Sequence, residues 1–215
     1  MAEETTTDYL AAALDRLPGR LVEVARERFD GQDPAHDWQH NLRVMAMCER
    51  IGRAEGASMD VLGLAALLHD IGRAEERRTG ECHAEISARA SGVLLREVGC
   101  ADDVIESVQR AILAHRFRKD RPPVTLEEQI LFDADKLDSI GAIGVARAFA
   151  YSGVLGQPIQ SDQPGQHTPL AEYEWKLQRI REKLFTKTAR QIAEERHRFM
   201  AQFFKRWKEE VAGIR

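Results

Sequence analysis

No apolar run in the 215-residue sequence approaches the roughly 20 residues that a helix needs to cross a bilayer. Cysteine is scarce. The three, Cys48, Cys82 and Cys100, are odd in number and none stands in CxxC spacing. That argues against a disulfide framework or a zinc knuckle and suits a reducing compartment. There is no excess of basic charge, since 31 Lys and Arg face 35 Asp and Glu for a net charge of −4. Nothing in that balance points to a nucleic-acid polymer as partner. The opening Met1-Ala-Glu-Glu-Thr-Thr-Thr-Asp8 is acidic and polar, unlike a signal peptide, so a cytoplasmic location without a membrane partner is expected. Internal repeats, sustained strand-type alternation and a Gly-rich phosphate loop are all missing.

What is present is ample core material, with 43% hydrophobic and 31% charged residues. The length suits a single domain over 1–215. Its core is expected over about 20–150, followed by an irregular stretch at 151–167 and C-terminal helices at 168–213 packing on that core. Apolar residues recur at three- and four-residue steps almost throughout, which predicts an all-α fold. Helices are expected over 8–17, 20–29, 35–55, 83–98, 102–115, from Thr125 onward, and from 170 to about 211, with a break near Thr186-Lys-Thr188. Ser58 is placed to cap the helix before His69, and Asp30-Gly-Gln-Asp-Pro34 reads as a turn. The charged 72–82 and the proline-broken 117–123 read as loops. Thr125-Leu-Glu-Glu128 has capping-box spacing.

The chain centres on Val61-Leu-Gly-Leu-Ala-Ala-Leu-Leu-His69-Asp70-Ile-Gly72. An apolar run with no polar face belongs to a buried helix, and this one ends by carrying an imidazole and a carboxylate inward. Neither is cheap to bury unpaired. A hydrogen-bonded couple or a metal ion would satisfy them.

Other polar residues converge on the same chemistry. His36 and His40 are four apart and share a helical face, with Arg43 next along it. Asp133 and Asp135 are two apart and point about 200° away from each other on a helix. Asp135 borders the packed stripe of Ile130, Ala134, Leu137 and Gly141, whereas Asp133 is expected at the surface or in a cap. Lys136 could meet an anionic ligand. His83 opens a helix and His115 closes one, where the macrodipole alone would favour an imidazolium.

The order His40, His69-Asp70, His83, His115, Asp135 resembles the signature of the HD-domain metal-dependent phosphohydrolase superfamily. The strings His36-Asp-Trp-Gln-His40-Asn-Leu-Arg43-Val44 and Asp133-Ala-Asp135-Lys-Leu-Asp138-Ser-Ile-Gly-Ala-Ile-Gly-Val-Ala-Arg-Ala-Phe149 are similar to its YedJ/YpgQ-like bacterial branch. The similarity spans roughly 20–200 and implies an HD-type helical bundle with an extended C-terminal helical region. By that resemblance His40, His69, Asp70 and Asp135 hold one divalent cation (Mn, Mg, Fe, Co, Ni or Zn), and Asp70 also orients the attacking water. His83 and His115 match positions that hold a second ion or contact phosphate or water. His36 and its neighbour Asp37, a second His-Asp copy, stay outside the ligand set.

Arg43, Arg73 and Lys136 adjoin these positions in sequence and could bind anionic oxygens. Glu76 and Glu81 are both candidates for a proton source. The function implied is hydrolysis of nucleotides or related small phosphate esters, foremost a nucleoside triphosphate to monophosphate and pyrophosphate. Phosphomonoesterase or cyclic-nucleotide phosphodiesterase activity is the alternative within the class. A non-catalytic nucleotide-binding or helical interaction module is the alternative outside it.

Overall fold

A computed structural model describes residues 6–31, 35–116, 121–163 and 165–214. The turn expected at 30–34 and the loop expected at 117–123 lie partly outside these residues. Every regular element described is helical. In order they are α1 (Thr6–Asp15), α2 (Gly19–Glu27), α3 (Trp38–Glu55), α4 (Met59–Leu68), α5 (Arg73–Thr79), α6 (His83–Glu97), α7 (Asp102–Ala114), α8 (Leu126–Leu137), α9 (Gly141–Val154), α10 (Pro169–Trp175), a 3-10 turn (Leu177–Lys183) and α11 (Lys187–Val211). None of the described helices is long and apolar enough to cross a membrane. The chain divides into two compact units, one of residues 1–32 and 36–135, the other of 33–35 and 136–215.

In the first unit α4 is the buried element that the apolar run predicts. Leu62, Leu64, Ala65, Ala66, Leu67 and Leu68 are all buried, and α3 and α7 pack against it. Each leucine so enclosed contributes about 1.5–3 kcal/mol relative to exposure. Met45 and Ile51 from α3, and Ile105, Val108 and Ile112 from α7, complete that core. Asn41 donates through Nδ2 to the Leu67 carbonyl at 3.1 Å, tying α3 to the end of α4.

The start of α3 explains the second His-Asp copy. Asp37 is the N-cap, and its Oδ1 accepts the His40 backbone N–H at 2.8 Å. Gly56 ends the same helix at φ 80°, a left-handed conformation that favours glycine. Asp37→Ala is expected to cost about 1 kcal/mol through the lost cap. In a chain of this length that lowers Tm by about 2–4 °C. Calorimetry of the purified variant measures it.

Three local expectations need correction. Residues 72–82 are not all loop, because Arg73–Thr79 form α5, with Glu75 and Glu76 in the first turn and Arg77 and Arg78 in the last. Such charge placement suits the helix dipole and leaves no apolar period to read. Ser58 occupies the N-cap of α4 but makes no side-chain cap; its backbone N–H donates to Glu127 Oε1 at 2.9 Å instead. The irregular stretch expected from 151 begins later, since α9 runs to Val154. The capping box does form: Glu128 Oε2 accepts the Thr125 N–H, and Thr125 Oγ1 accepts the Glu128 N–H, both at 3.4 Å.

In the second unit α9, α10 and the 3-10 turn are gathered by α9 and α11 packing together and by the 3-10 turn against both α10 and α11. The expected break falls where it was placed, with Thr186 capping α11 through Oγ1 to the Ala189 N–H, and Thr168 likewise capping α10. Tyr173 stacks on Phe204 at 4.5 Å between centroids. Gly144 lies so close to Ser139 that a Cβ there would overlap the Ser139 carbonyl, which is why a Gly- and Ala-rich segment starts α9. Arg147 pairs with the buried Asp138 at 2.7 Å.

Candidate metal centre

Five helices of the first unit deliver six buried side chains to one place. His40 is the third residue of α3, and His69 and Asp70 follow directly on α4. His83 opens α6, His115 follows α7, and Asp135 sits in the last turn of α8. His40, His69 and Asp70 are fully enclosed, while His115, His83 and Asp135 are at most 7% exposed. Bundles build metal sites in this way, from facing helices.

Two groups of ligand atoms are close enough to share an ion. One comprises His40, His69 and Asp135; the other comprises Asp70, His83 and His115. Asp70 faces both. Its Oδ2 lies 3.7 Å from the Nε2 atoms of His40 and His69, while its Oδ1 lies 3.4 Å from His83 Nε2 and 3.6 Å from His115 Nε2. His40 Nε2 is also 3.5 Å from Asp135 Oδ1. His36 stacks edge-on to His40 at 5.8 Å and belongs to neither group.

The ring orientations decide the chemistry. His69 Nδ1 is 2.8 Å from the Ala66 carbonyl, and His115 Nδ1 is 2.5 Å from the Ile112 carbonyl. A carbonyl only accepts, so each ring carries its proton on Nδ1 and turns an Nε2 lone pair toward the cluster. His83 Nδ1 is 2.8 Å from Glu76 Oε2, which gives it the same tautomer. Burial, against the pull of Asp70, pushes His69 down to about 4 and His83 to about 3, so both are neutral near pH 7. Neutral imidazole is the form that binds metal.

The cluster therefore has a deficit of positive charge. His83 Nε2 and His115 Nε2 approach to 3.3 Å with a lone pair on each and no proton to share. His69 Nε2 and Asp70 Oδ1 are buried and accept no hydrogen bond. A set of imidazole nitrogens and carboxylate oxygens in this state fits a divalent cation. Burial opposes ionisation of Asp70, but the Arg73 guanidinium, with Nε 2.9 Å from Oδ2, leads the charges that hold its carboxyl well below the usual range.

Other residues fall differently from their expected places. Asp133 is fully buried, not at the surface. Ile130, Leu131, Phe132 and Ala134 are buried too, so the whole run from Ile130 to Asp135 is enclosed around the helix, Asp133 with it. Burial and the charges of Asp135 and Asp133 push the Cys48 thiol up, which puts both carboxylates near α3. Arg43 and Lys136 are half-buried on α3 and α8. Glu81 is on the surface, paired with Arg89 at 2.5 Å. Arg116 went unnoticed in the sequence; its Nη1 reaches Cys82 Sγ at 3.0 Å and Glu76 Oε1 at 3.4 Å.

A buried His and Asp cluster of this kind on a helical scaffold fits a metal centre. The HD domain family model matches residues 37–140. The protein YpgQ of Bacillus subtilis (strain 168) is 33% identical over 185 residues, covering 85% of this chain and 88% of YpgQ. A predicted HD superfamily hydrolase from an uncultured Thermotogales bacterium is 34% identical, with 94% of this chain and 98% of that one covered at a TM-score of 0.71. The crystal structure of YpgQ in complex with ADP is 28% identical, with 90% and 100% covered at a TM-score of 0.72. The chain belongs to the HD-domain superfamily and is a metal-dependent phosphohydrolase.

Proposed function

We propose that this enzyme cleaves a nucleoside triphosphate between the α and β phosphorus atoms, adding water to give the monophosphate and pyrophosphate. The observation that carries the reading is Asp70, whose Oδ2 lies beside His40 and His69 and whose Oδ1 lies beside His83 and His115. His40, His69, Asp70 and Asp135 would hold one divalent cation, and His83 and His115 would serve a second ion or a substrate phosphate. When bound, the cation lowers the pKa of a water and neutralises charge developing on the phosphoryl oxygens.

The chain's own groups do the rest. Asp70, kept ionised by Arg73, accepts a hydrogen bond from the attacking water and so aims it. Arg73 has Nη donors beyond its Nε bond to Asp70, and Arg43 and Lys136 adjoin ligands in sequence. These cations bind the anionic oxygens that a Gly-rich loop would otherwise cradle. Glu76 accepts the His83 Nδ1 proton, which favours a role behind that imidazole over one as proton source. A nucleotide substrate is supported by the ADP bound to YpgQ in its crystal structure, a relative of similar fold.

Purified protein, assayed with Mn²⁺, Mg²⁺, Ni²⁺ or Co²⁺ against nucleoside and deoxynucleoside triphosphates, monophosphates and cyclic nucleotides, tests this. The expected result is monophosphate and pyrophosphate by ³¹P NMR, lost on adding EDTA and restored by the metal. Orthophosphate from monophosphates, or opening of a cyclic nucleotide, would move the activity within the class. Tight nucleotide binding with no EDTA-sensitive hydrolysis anywhere in the panel would overturn the reading.

A further inference from the structure

His83 differs from the other two inward-facing imidazoles whose Nδ1 partners are known. His69 and His115 each stand at the end of a helix and use the carbonyl three residues back, Ala66 and Ile112. His83 is the first residue of α6, so no preceding helical carbonyl exists to hold its ring. The acceptor has to come from elsewhere. It comes from α5, whose Glu76 takes the His83 ring at 2.8 Å through Oε2 and the His83 backbone N–H at 3.2 Å through Oε1.

Glu76 is itself restrained. Arg116 Nη1 lies 3.4 Å from Oε1, and Arg73 Nη1 lies 3.8 Å from Oε2. Arg116 is steadied in turn by Cys82 Sγ, on the residue before His83. The result is a closed ring of contacts, Arg116 to Glu76 to His83 and back through Cys82. Its outer member, Arg116, is 36% exposed at the side chain, while His83 is 3% exposed.

Resting on the phosphohydrolase reading, we propose that Glu76 and Arg116 are positioning residues. Arg116 restrains the Glu76 carboxylate, and Glu76 keeps the proton of His83 on Nδ1 so that the Nε2 lone pair faces the metal centre. A carboxylate behind a ligand imidazole fixes the tautomer and raises its basicity, and losing one typically weakens metal binding 10–100-fold. Glu76 therefore acts behind His83 rather than as a proton source.

Long-range ¹H–¹⁵N spectra of the metal-free wild type test the tautomer without any variant. The expected result is a protonated Nδ1 and a bare Nε2 on His83. Mn²⁺ titration then compares Glu76→Ala, Glu76→Gln, Arg116→Ala and Arg116→Lys. Glu76→Ala is expected to weaken the Mn²⁺ step that requires His83 by 10–100-fold. Glu76→Gln retains an acceptor and loses less. Arg116→Ala falls between wild type and Glu76→Ala, and Arg116→Lys recovers part of the loss.

A proton on His83 Nε2 in the wild type would overturn the proposal. So would unchanged Mn²⁺ affinity in a folded Glu76→Ala or, should that variant not fold, in Glu76→Gln together with Arg116→Ala. Wild type that hydrolyses nothing in the panel but shows the Nδ1–H tautomer sinks the functional reading and leaves the positioning intact. An Nε2–H tautomer in an active wild type does the reverse.

Discussion

Asp70→Asn is expected to lower kcat for phosphate-ester hydrolysis by about 10²–10³-fold, on the scale of losing a group that acts directly on the developing charge. The substitution preserves shape and removes charge. Asp70 Oδ2 now balances Arg73, and its two oxygens stand within 3.4–3.7 Å of four Nε2 atoms. An asparagine presents an NH₂ on one side, which donates to an Nε2 lone pair and closes a ligand position. It also leaves the Arg73 guanidinium, only 20% exposed, without its carboxylate. Metal content after dialysis should fall with activity while far-UV circular dichroism stays unchanged. An Asp70→Asn protein that holds the wild-type amount of Mn²⁺ and turns over within tenfold of wild type would refute the role given to this residue.

The second large effect is structural, two residues on. Gly72 sits where α5 leaves the His69-Asp70 turn, and its φ of −87° is open to any residue. Space is the constraint. A Cβ there would lie 2.7 Å from the His83 carbonyl oxygen, 2.8 Å from Ile86 Cβ and 2.9 Å from the Ser87 nitrogen. Two of these are backbone atoms of α6 and cannot rotate aside. The Gly72 N–H also donates to the buried Ser87 Oγ at 2.9 Å, fastening the two segments together.

Gly72→Ala must therefore push α6 outward, and His83 moves with it. Overpacking of this kind costs about 1–3 kcal/mol, and at this chain length Tm should fall by about 2–12 °C. Gly63, inside α4, is the control. Its nearest neighbour to an added Cβ is Leu17 Cδ2 at 3.6 Å, an ordinary contact. Gly63→Ala should be neutral or stabilise by up to about 1 kcal/mol. Scanning calorimetry of both variants separates them, and equal melting temperatures would contradict the packing account.

Much of the fold was legible because its signals are local. The apolar run before His69 has no polar face, and Leu62 and every residue from Leu64 to Leu68 are correspondingly buried. Thr125 with Glu128 marks a helix start, and Thr186 a break, that the hydrogen bonds realise. Where local signal is absent the reading failed. Six charged and polar residues and one alanine make α5 a helix through dipole complement and neighbouring support, with nothing periodic to see. A helical wheel places Asp133 outward because it presumes one solvent face along the whole helix, and the turn of α8 from Ile130 to Asp135 has none.

By itself the sequence determined an all-helical chain, the buried His69-Asp70 turn, and the family pattern formed with His40 and Asp135. Helical period, capping and apolar runs depend on residues a few positions apart, so they survive without coordinates. Only the tertiary structure decided that Asp70 faces two ligand groups, and that Asp37 of the duplicate pair caps α3. It alone brought the Glu76 carboxylate to the His83 ring. Those outcomes depend on which helix ends meet and which ring nitrogen already has a carbonyl, and neither can be read from the apolar spacing along a single helix.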